Sequence, residues 1–329
     1  MSVFETDSNF QYQASHETFS LQSRGSWRNK VQELVMKNPP IKQGDLDFSV
    51  APRLQTVWGV REAAVFFLEG LSVTLFMAFA FLEYVPGMVA SIALLIVAVL
   101  LLLSHLGHPM RAWMAIRNFR RSWVSRGTVV IGGFIGLGAV YVGVPAILQI
   151  DMGESLTVAI RSLLSVAAVF ILVYPGFVMS ASPAIPFWSS GLLPVLSLIN
   201  GLASGLMVVL LIDTKLGSID LALLEQSILI TLGMVTLFFF VTMNNAGAAA
   251  RLSVTYLMTR EPVLFWLLAV GAGLALPIAA IALTVTFDVA PVGLLWIAVA
   301  ARLVGDVAAR YAFLKGGIYE EVMQPTHRT

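Results

Sequence analysis

The chain has 329 residues, of which 58% are apolar and only 12% charged, against about 25% charge in an ordinary soluble domain. A mean hydropathy of +0.85 is more than a core of this size can hide from water, so the solvent for most of the chain is lipid. Soluble enzymes, fibres and disordered chains are excluded, and the net charge of +1 is informative only through its distribution.

Residues 1–57 read as a polar tail. It lacks the early apolar run after a basic start that a signal peptide needs. Within it Trp27, Val31, Leu34 and Val35 recur at helical spacing, with Arg28, Lys30 and Lys37 on the remaining face. Ser26 is placed to cap this helix, and Asn38-Pro39-Pro40 stops it. Such an amphipathic helix lies on a membrane surface, docks on a partner, or is simply solvated.

Eight apolar segments follow, near 59–83, 86–106, 127–150, 157–180, 190–212, 222–243, 262–286 and 290–313. Each approaches the ~20 residues that span a bilayer as a helix. Pro86-Gly87, Asp151-Met152-Gly153-Glu154, Ser182-Pro183 with Pro186, Asp213-Thr214-Lys215 and Arg260-Glu261-Pro262 fall at breaks between them. A β-barrel is excluded, because its strands alternate polar and apolar residues. The expected fold is all-α: a polytopic bundle of eight transmembrane helices over 58–315, with a short C-terminal tail at 316–329. Gly132-Gly133, Gly136 and Gly138, with Gly201 and Gly205, are expected to permit close helix packing.

With eight spans, the tail, the even-numbered loops and the C-terminus share one side. That side holds Arg111, Arg117, Arg120, Arg121 and Arg126, then Arg251 and Arg260, and Arg302, Arg310, Lys315 and Arg328 lie in or beyond the last span. The other side has Lys215 and Arg161. The positive-inside rule then makes both termini cytoplasmic.

There is no cysteine. Disulfides, iron–sulfur ligation, covalent c-type haem and thiolate catalysis are therefore excluded. The four histidines are His16, His105, His108 and His327. His105 and His108 are neighbours in one segment, so they cannot face each other across helices as the ligands of a b-type haem usually do.

The densest polar signal is Ser104-His105-Leu106-Gly107-His108-Pro109-Met110-Arg111, leading to Arg121-Ser122-Trp123-Val124-Ser125-Arg126. Pro109 stops the second span, and Gly107 permits a tight turn. His105 then sits at the lipid–water boundary, where an imidazole exchanges one proton near neutral pH. Arg111 adds a fixed positive charge, and Ser122 or Ser125 can cap the third span. These groups suit a quinone head group and its protons. On physical grounds alone the bland reading is the preferred one: His105 caps a helix end and the arginines obey the positive-inside rule.

The run His-Leu-Gly-x-Pro-x-Arg followed by Ser-Trp-x-Ser-Arg resembles the membrane anchor subunits of the dimethyl sulfoxide reductase and polysulfide reductase (NrfD-like) family. Trp58 before the first span and Arg310-Tyr311 late in the last agree with it. The resemblance implies eight helices and a quinone, ubiquinone or menaquinone, with no haem or iron–sulfur cluster in this subunit. It implies two partners, a ferredoxin-like iron–sulfur subunit and a molybdopterin catalytic subunit, in the inner membrane of a bacterial cell. It assigns His105 and Arg111 to the quinone, and Gly107, Pro109, Ser122, Trp123, Ser125 and Arg126 to the supporting motif. Gly127 departs from the family, where an acidic residue is common. Combined with the charge asymmetry, the resemblance implies a cytoplasmic catalytic module of the sulfite- or phenylacetyl-CoA-oxidising type, and no nucleic-acid partner.

Glu69 lies inside the first span, where a carboxylate is costly. It either relays protons to the quinone or is a protonated, hydrogen-bonded side chain of the bundle. Arg302, Asp306 and Arg310 follow i, i+4, i+8 spacing and are expected to form one stripe whose members neutralise each other. Asn200, Asn244 and Asn245 contact a quinone carbonyl or make helix–helix hydrogen bonds. The rival classes are a secondary transporter, which would show broken helices and repeats, and an anchor that has no quinone site.

Overall fold

A computed structural model describes residues 49–50, 52–104, 114, 117–212, 219–287, 292–320 and 322–323. The helix expected around Trp27, and His105, Gly107, His108, Pro109 and Arg111 of the motif, lie outside the described residues.

The first two spans are α1 (Val60–Phe81) and α2 (Val85–Leu103). The turn between them is made at Glu83, whose φ is 54°. Pro86 sits in the first turn of α2 rather than in the break, because its missing N–H costs nothing there and its φ suits a helix. Next come α3 (Trp123–Ile147), α4 (Glu154–Ser180), α5 (Leu192–Ile212) and α6 (Ile219–Asn245). A 13-residue helix not expected from hydropathy, α7 (Ala248–Arg260), follows Gly247. At 1.5 Å per residue it is about 20 Å long, too short to cross hydrocarbon. The next segment winds as a π-helix over Val263–Ala275 and continues as α8, Leu276–Phe287. The last helix is α9, Val292–Lys315.

The protein is a multi-pass helical membrane protein. Among the described residues, seven helical segments are long and apolar enough to cross a membrane: α1 to α6 and the π-helix with α8. Helix α9 is interrupted by Arg302, Asp306 and Arg310. Burial divides the segments by position. In α1 72% of the most apolar stretch is buried and in α5 50%, against 22–28% in the other five. So α1 and α5 form the centre, and the others present Val, Leu, Ile and Phe outward, as lipid contact requires.

Close backbone approach holds the centre together. Gly201 in α5 lies against Gly70 in α1, and Gly205 against Thr74. On the other flank, Gly273 of the π-helix meets Gly305 of α9. The expectation for α3 needs correcting. Of the four glycines expected to pack there, Gly138 alone has neighbours, Phe76 and Ile92, while Gly132, Gly133 and Gly136 have nothing within 4 Å of an added Cβ. A small-residue pattern in sequence gives no sign of which face meets a neighbour.

One end of the bundle is closed by polar and aromatic groups. A two-residue strand β1 (Arg53–Leu54) pairs antiparallel with β2 (Ile318–Tyr319). Between them Gln55, buried, donates through Nε2 to the carbonyls of Trp58 (2.7 Å) and Leu314 (2.8 Å). Its Oε1 accepts from the amides of Val57 and Trp58. Trp188, from the α4–α5 connection, donates Nε1–H to the Phe313 carbonyl at 2.8 Å and packs on Trp58 with ring centroids 5.5 Å apart. The start of α1, the α4–α5 connection and the end of α9 therefore meet at the same end of the bundle.

Candidate functional site

The described half of the sequence motif is the head of α3. Ser122 is extended (φ −115°, ψ 126°) and its Oγ accepts from the Ser125 amide at 3.4 Å, so Ser122 rather than Ser125 is the N-cap. Trp123 stacks face to face on Phe177, near the end of α4, with centroids 4.6 Å apart and planes 4° from parallel. Arg126 lies 4.5 Å from the Trp123 centroid and donates to the carbonyls of Phe119 (3.2 Å) and Arg120 (2.9 Å). It thereby ties the loop entering α3 to the helix head, a task that suits a guanidinium because its fork reaches two acceptors at once. Ser125 is buried. Because α4 ends beside Trp123, this head lies at the same end as Trp58 and Trp188.

One turn further in, the departure at Gly127 has a physical reason. A Cβ on Gly127 would fall 2.3 Å from Cε2 of Tyr174, a buried residue of α4. The phenol ring fills the volume an acidic side chain would need. Tyr174 is also within electrostatic reach of Glu69. Glu69 is 1% exposed, and its Oε2 has no hydrogen-bond partner. It sits nine residues past Val60, about 14 Å into α1. Its charged neighbour is Arg310, whose Nη2 lies 3.2 Å from where a Cβ on Gly70 would sit.

The α9 stripe is only partly self-neutralising. Arg310 Nε donates to Asp306 Oδ1 at 2.8 Å, and Ser204 Oγ of α5 donates to Oδ2 at 2.7 Å. Arg302 turns away from both. Its Nη1 donates to the Gly273 carbonyl of the π-helix (2.9 Å), and its Nη2 to the backbone carbonyl (3.1 Å) and Oδ1 (2.9 Å) of Asn200. A backbone carbonyl has two lone pairs, so the Gly273 carbonyl can accept from a guanidinium beside any helical bond it makes. Asn200 thus serves a helix–helix hydrogen bond, whereas Asn245 donates only to its own helix at Val241. A small cavity, ≈ 30 Å³ open to the centres of water molecules, is lined by Asn200, Arg302, Thr236, Phe240 and Phe265. Glu225 of α6 is fully buried and within electrostatic reach of Arg302, and neither of its carboxyl oxygens has a partner.

At the closed end, Lys315 Nζ donates to Glu261 Oε1 at 2.7 Å, and the Tyr256 hydroxyl donates to the same oxygen at 3.1 Å. Partial burial works against the lysine's charge. The hydrogen bond and negative charge of Glu261, helped by Tyr311, outweigh it and hold the Lys315 pKa above its ordinary 10.5. No group of three His, Cys, Asp or Glu among the described residues is arranged to hold a metal.

A sequence model of the family described as polysulphide reductase, NrfD, matches residues 50–320, most of the chain. The chain belongs to the NrfD family. The matched region takes in the Gln55 hub, the head of α3, Glu69, Tyr174 and all of the α9 cluster. An NrfD protein is a membrane subunit of a redox complex, and the family is associated with the quinone pool. A comparison with proteins of curated function finds no match. Sequence reasoning missed three residues of this NrfD chain. Glu225 carried the same signal as Glu69, an ionisable group in an apolar span. Tyr174 and Gln55 carried none, because their roles come from tertiary contacts.

Proposed function

We propose that this chain is the quinone-binding membrane anchor of a molybdopterin and iron–sulfur oxidoreductase, passing electrons between its iron–sulfur partner and the quinone pool. The observation that carries this reading is the convergence, inside a family-matched chain, of the motif-bearing head of α3 on an unpaired buried carboxyl, Glu69, through Tyr174. A quinone, when bound, supplies a carrier of two electrons and two protons. The chain's own groups fit such a molecule: His105 exchanges a proton at the boundary, Arg111 gives a fixed positive charge, and Glu69 holds a proton further in. Ser122, Trp123, Ser125 and Arg126 fix the helix head.

Eight spans, with α9 as the last, are part of this proposal. Four crossings from the start of α1 return the chain to the α4–α5 connection, and four more bring it to the end of α9. The contacts among Trp58, Trp188 and Phe313 support that even count. The arginine-rich loop then lies on the side of both termini, which the positive-inside rule makes the cytoplasmic side of a bacterial inner membrane. The catalytic module, of the sulfite- or phenylacetyl-CoA-oxidising type, docks there.

The test is His105→Leu in the assembled complex. Quinone-coupled turnover falls at least tenfold, while turnover with a soluble dye at the catalytic subunit persists. Equal loss of both, or of neither, refutes a quinone role.

A further inference from the structure

Arg302 is a buried cation without an ion pair. It is 1% exposed and stands ten residues past Val292, about 15 Å into α9, beyond the reach of bulk counter-ions. A guanidinium does not lose its proton in a protein, and a buried charge is stable only when it is paired and hydrogen-bonded. The acceptors of Arg302 are all neutral: the Gly273 carbonyl, and the carbonyl and Oδ1 of Asn200. Its Nε has no partner. Asp306, the carboxylate one turn on, is held by Arg310 and Ser204. Glu225 of α6 makes no bond to Arg302 either, since neither of its oxygens has a partner.

The same guanidinium lines the small cavity between α5, α6, the π-helix and α9. Most of the wall is apolar, with Leu232, Phe240, Phe265, Val270 and Phe313 prominent. Two other polar side chains line it. Asn200 is already spent, because its Nδ2 donates to the Leu196 carbonyl and its Oδ1 accepts from Arg302. Thr236 is not. Ser227 and Thr231 of the same helix return their hydroxyls to the carbonyl four residues back, whereas no such bond ties the Thr236 hydroxyl. An unpaired cationic N–H donor and an untied hydroxyl therefore belong to the lining of one space. That space, ≈ 30 Å³ for water centres, admits a group about as large as one or two waters. It is too small for a quinone ring. The cavity is not sealed, and Thr236, Val270 and Leu274 of its lining are only half-buried at mid-span. The way in is thus from the lipid, between α6 and the π-helix.

We propose that this cavity binds a small monovalent anion that pairs with Arg302 and accepts from the Thr236 hydroxyl. One source is the carboxylate of a membrane fatty acid, its chain leaving through the mouth along the apolar wall. The other is a dissolved halide, which offers the same charge and the same acceptor. The site uses neither His105 nor the head of α3, so it stands whether or not those residues serve a quinone.

Melting temperatures of the full-length protein in nanodiscs of zwitterionic lipid test the site. They are compared at constant ionic strength in gluconate, in chloride, and in gluconate with decanoate below its micellar concentration. Chloride or decanoate is expected to raise the melting temperature saturably, and the one that does so names the source. Thr236→Val keeps the shape of the wall and should weaken the apparent affinity about tenfold, the loss of one hydrogen bond to a charged group. Ala269→Leu, on the π-helix side of the wall, fills the space and should abolish the rise. Neither change removes a hydrogen bond of Arg302. No saturable rise with either anion, a rise that Ala269→Leu leaves intact, or an affinity unmoved by Thr236→Val overturns the site. So does a rise that appears only in Glu225→Gln, because Glu225 is then the counter-ion of Arg302 in the wild type.

Discussion

Gly127→Ala is the most direct probe of how the head of α3 is seated. In an exposed helix interior, glycine to alanine gains about 1 kcal/mol of helix propensity. That gain is available undiminished at Gly136, where an added Cβ meets nothing within 4 Å. At Gly127 the same methyl would sit 2.3 Å from Cε2 and 2.4 Å from Cζ of Tyr174. The ring is 4% exposed and lies stacked near Phe170, so it has no open volume to move into. Overpacking of this kind costs about 1–3 kcal/mol, which cancels or exceeds the propensity gain. Thermal unfolding in detergent, followed by tryptophan fluorescence, should rank Gly136→Ala above wild type and Gly127→Ala at or below it. Replacing Tyr174 by leucine in the Gly127→Ala background should recover part of the loss, giving a positive coupling of about 1 kcal/mol. A Gly127→Ala protein as stabilised as Gly136→Ala would refute the seating of Tyr174 on α3.

Asp306→Asn strands Arg310 in the interior and should lower unfolding stability by about 3 kcal/mol, the low end for a broken buried pair. Replacing Asp306 and Arg310 together by leucine and methionine should cost less than the single change, and chemical denaturation that finds the double variant the worse of the two counts against the pair. Lys315 gives a pH dependence whose sign follows from its raised pKa. The Lys315–Glu261 contact stabilises fully below the ordinary lysine value of 10.5 and is lost as pH rises through the higher folded value. An alkaline series of melting temperatures should therefore fall more steeply in wild type than in Lys315→Met, and parallel curves would remove Lys315 from the closure of that end.

The sequence carries the spans because hydrocarbon imposes a single rule, about twenty apolar residues with their backbone satisfied internally, and that rule reads along the chain without tertiary knowledge. It also marks Glu69, Arg302, Asp306 and Arg310, because an ionisable group in an apolar run stands out against its neighbours. What it does not carry is pairing. The i, i+4 spacing of Arg302 with Asp306 is as good as that of Asp306 with Arg310, yet only the second forms an ion pair. The difference lies in Asn200 and the Gly273 carbonyl, which belong to other helices and outbid Asp306 for Arg302. Glycines fail in the same way: Gly201 and Gly136 look alike in sequence, but one meets Gly70 and the other meets nothing. The π-wound turns at Val263–Ala275 and the short α7 leave no hydropathy signal, since both depend on how the backbone of that segment is paired.

Stability does not account for the polar interior of α9. Buried ion pairs are commonly no better than well-packed apolar residues of the same volume, and often worse by 1–4 kcal/mol. A helix required only to fix a complex to a membrane would gain by replacing Arg302, Asp306 and Arg310 with leucine and methionine, as α2 and α3 have no ionised side chain in their buried turns. The cost is instead concentrated where α9 meets α1, α5, α6 and the π-helix, and each of those elements adds a polar partner: Glu69, Asn200 with Ser204, Glu225 and the Gly273 carbonyl. Two of those partners are carboxyls with oxygens left unpaired. Polar groups assembled for rigidity would satisfy one another completely, since a half-satisfied network is weaker than an apolar core. The unpaired oxygens of Glu69 and Glu225 are therefore not explained by a role in holding α9 to its neighbours.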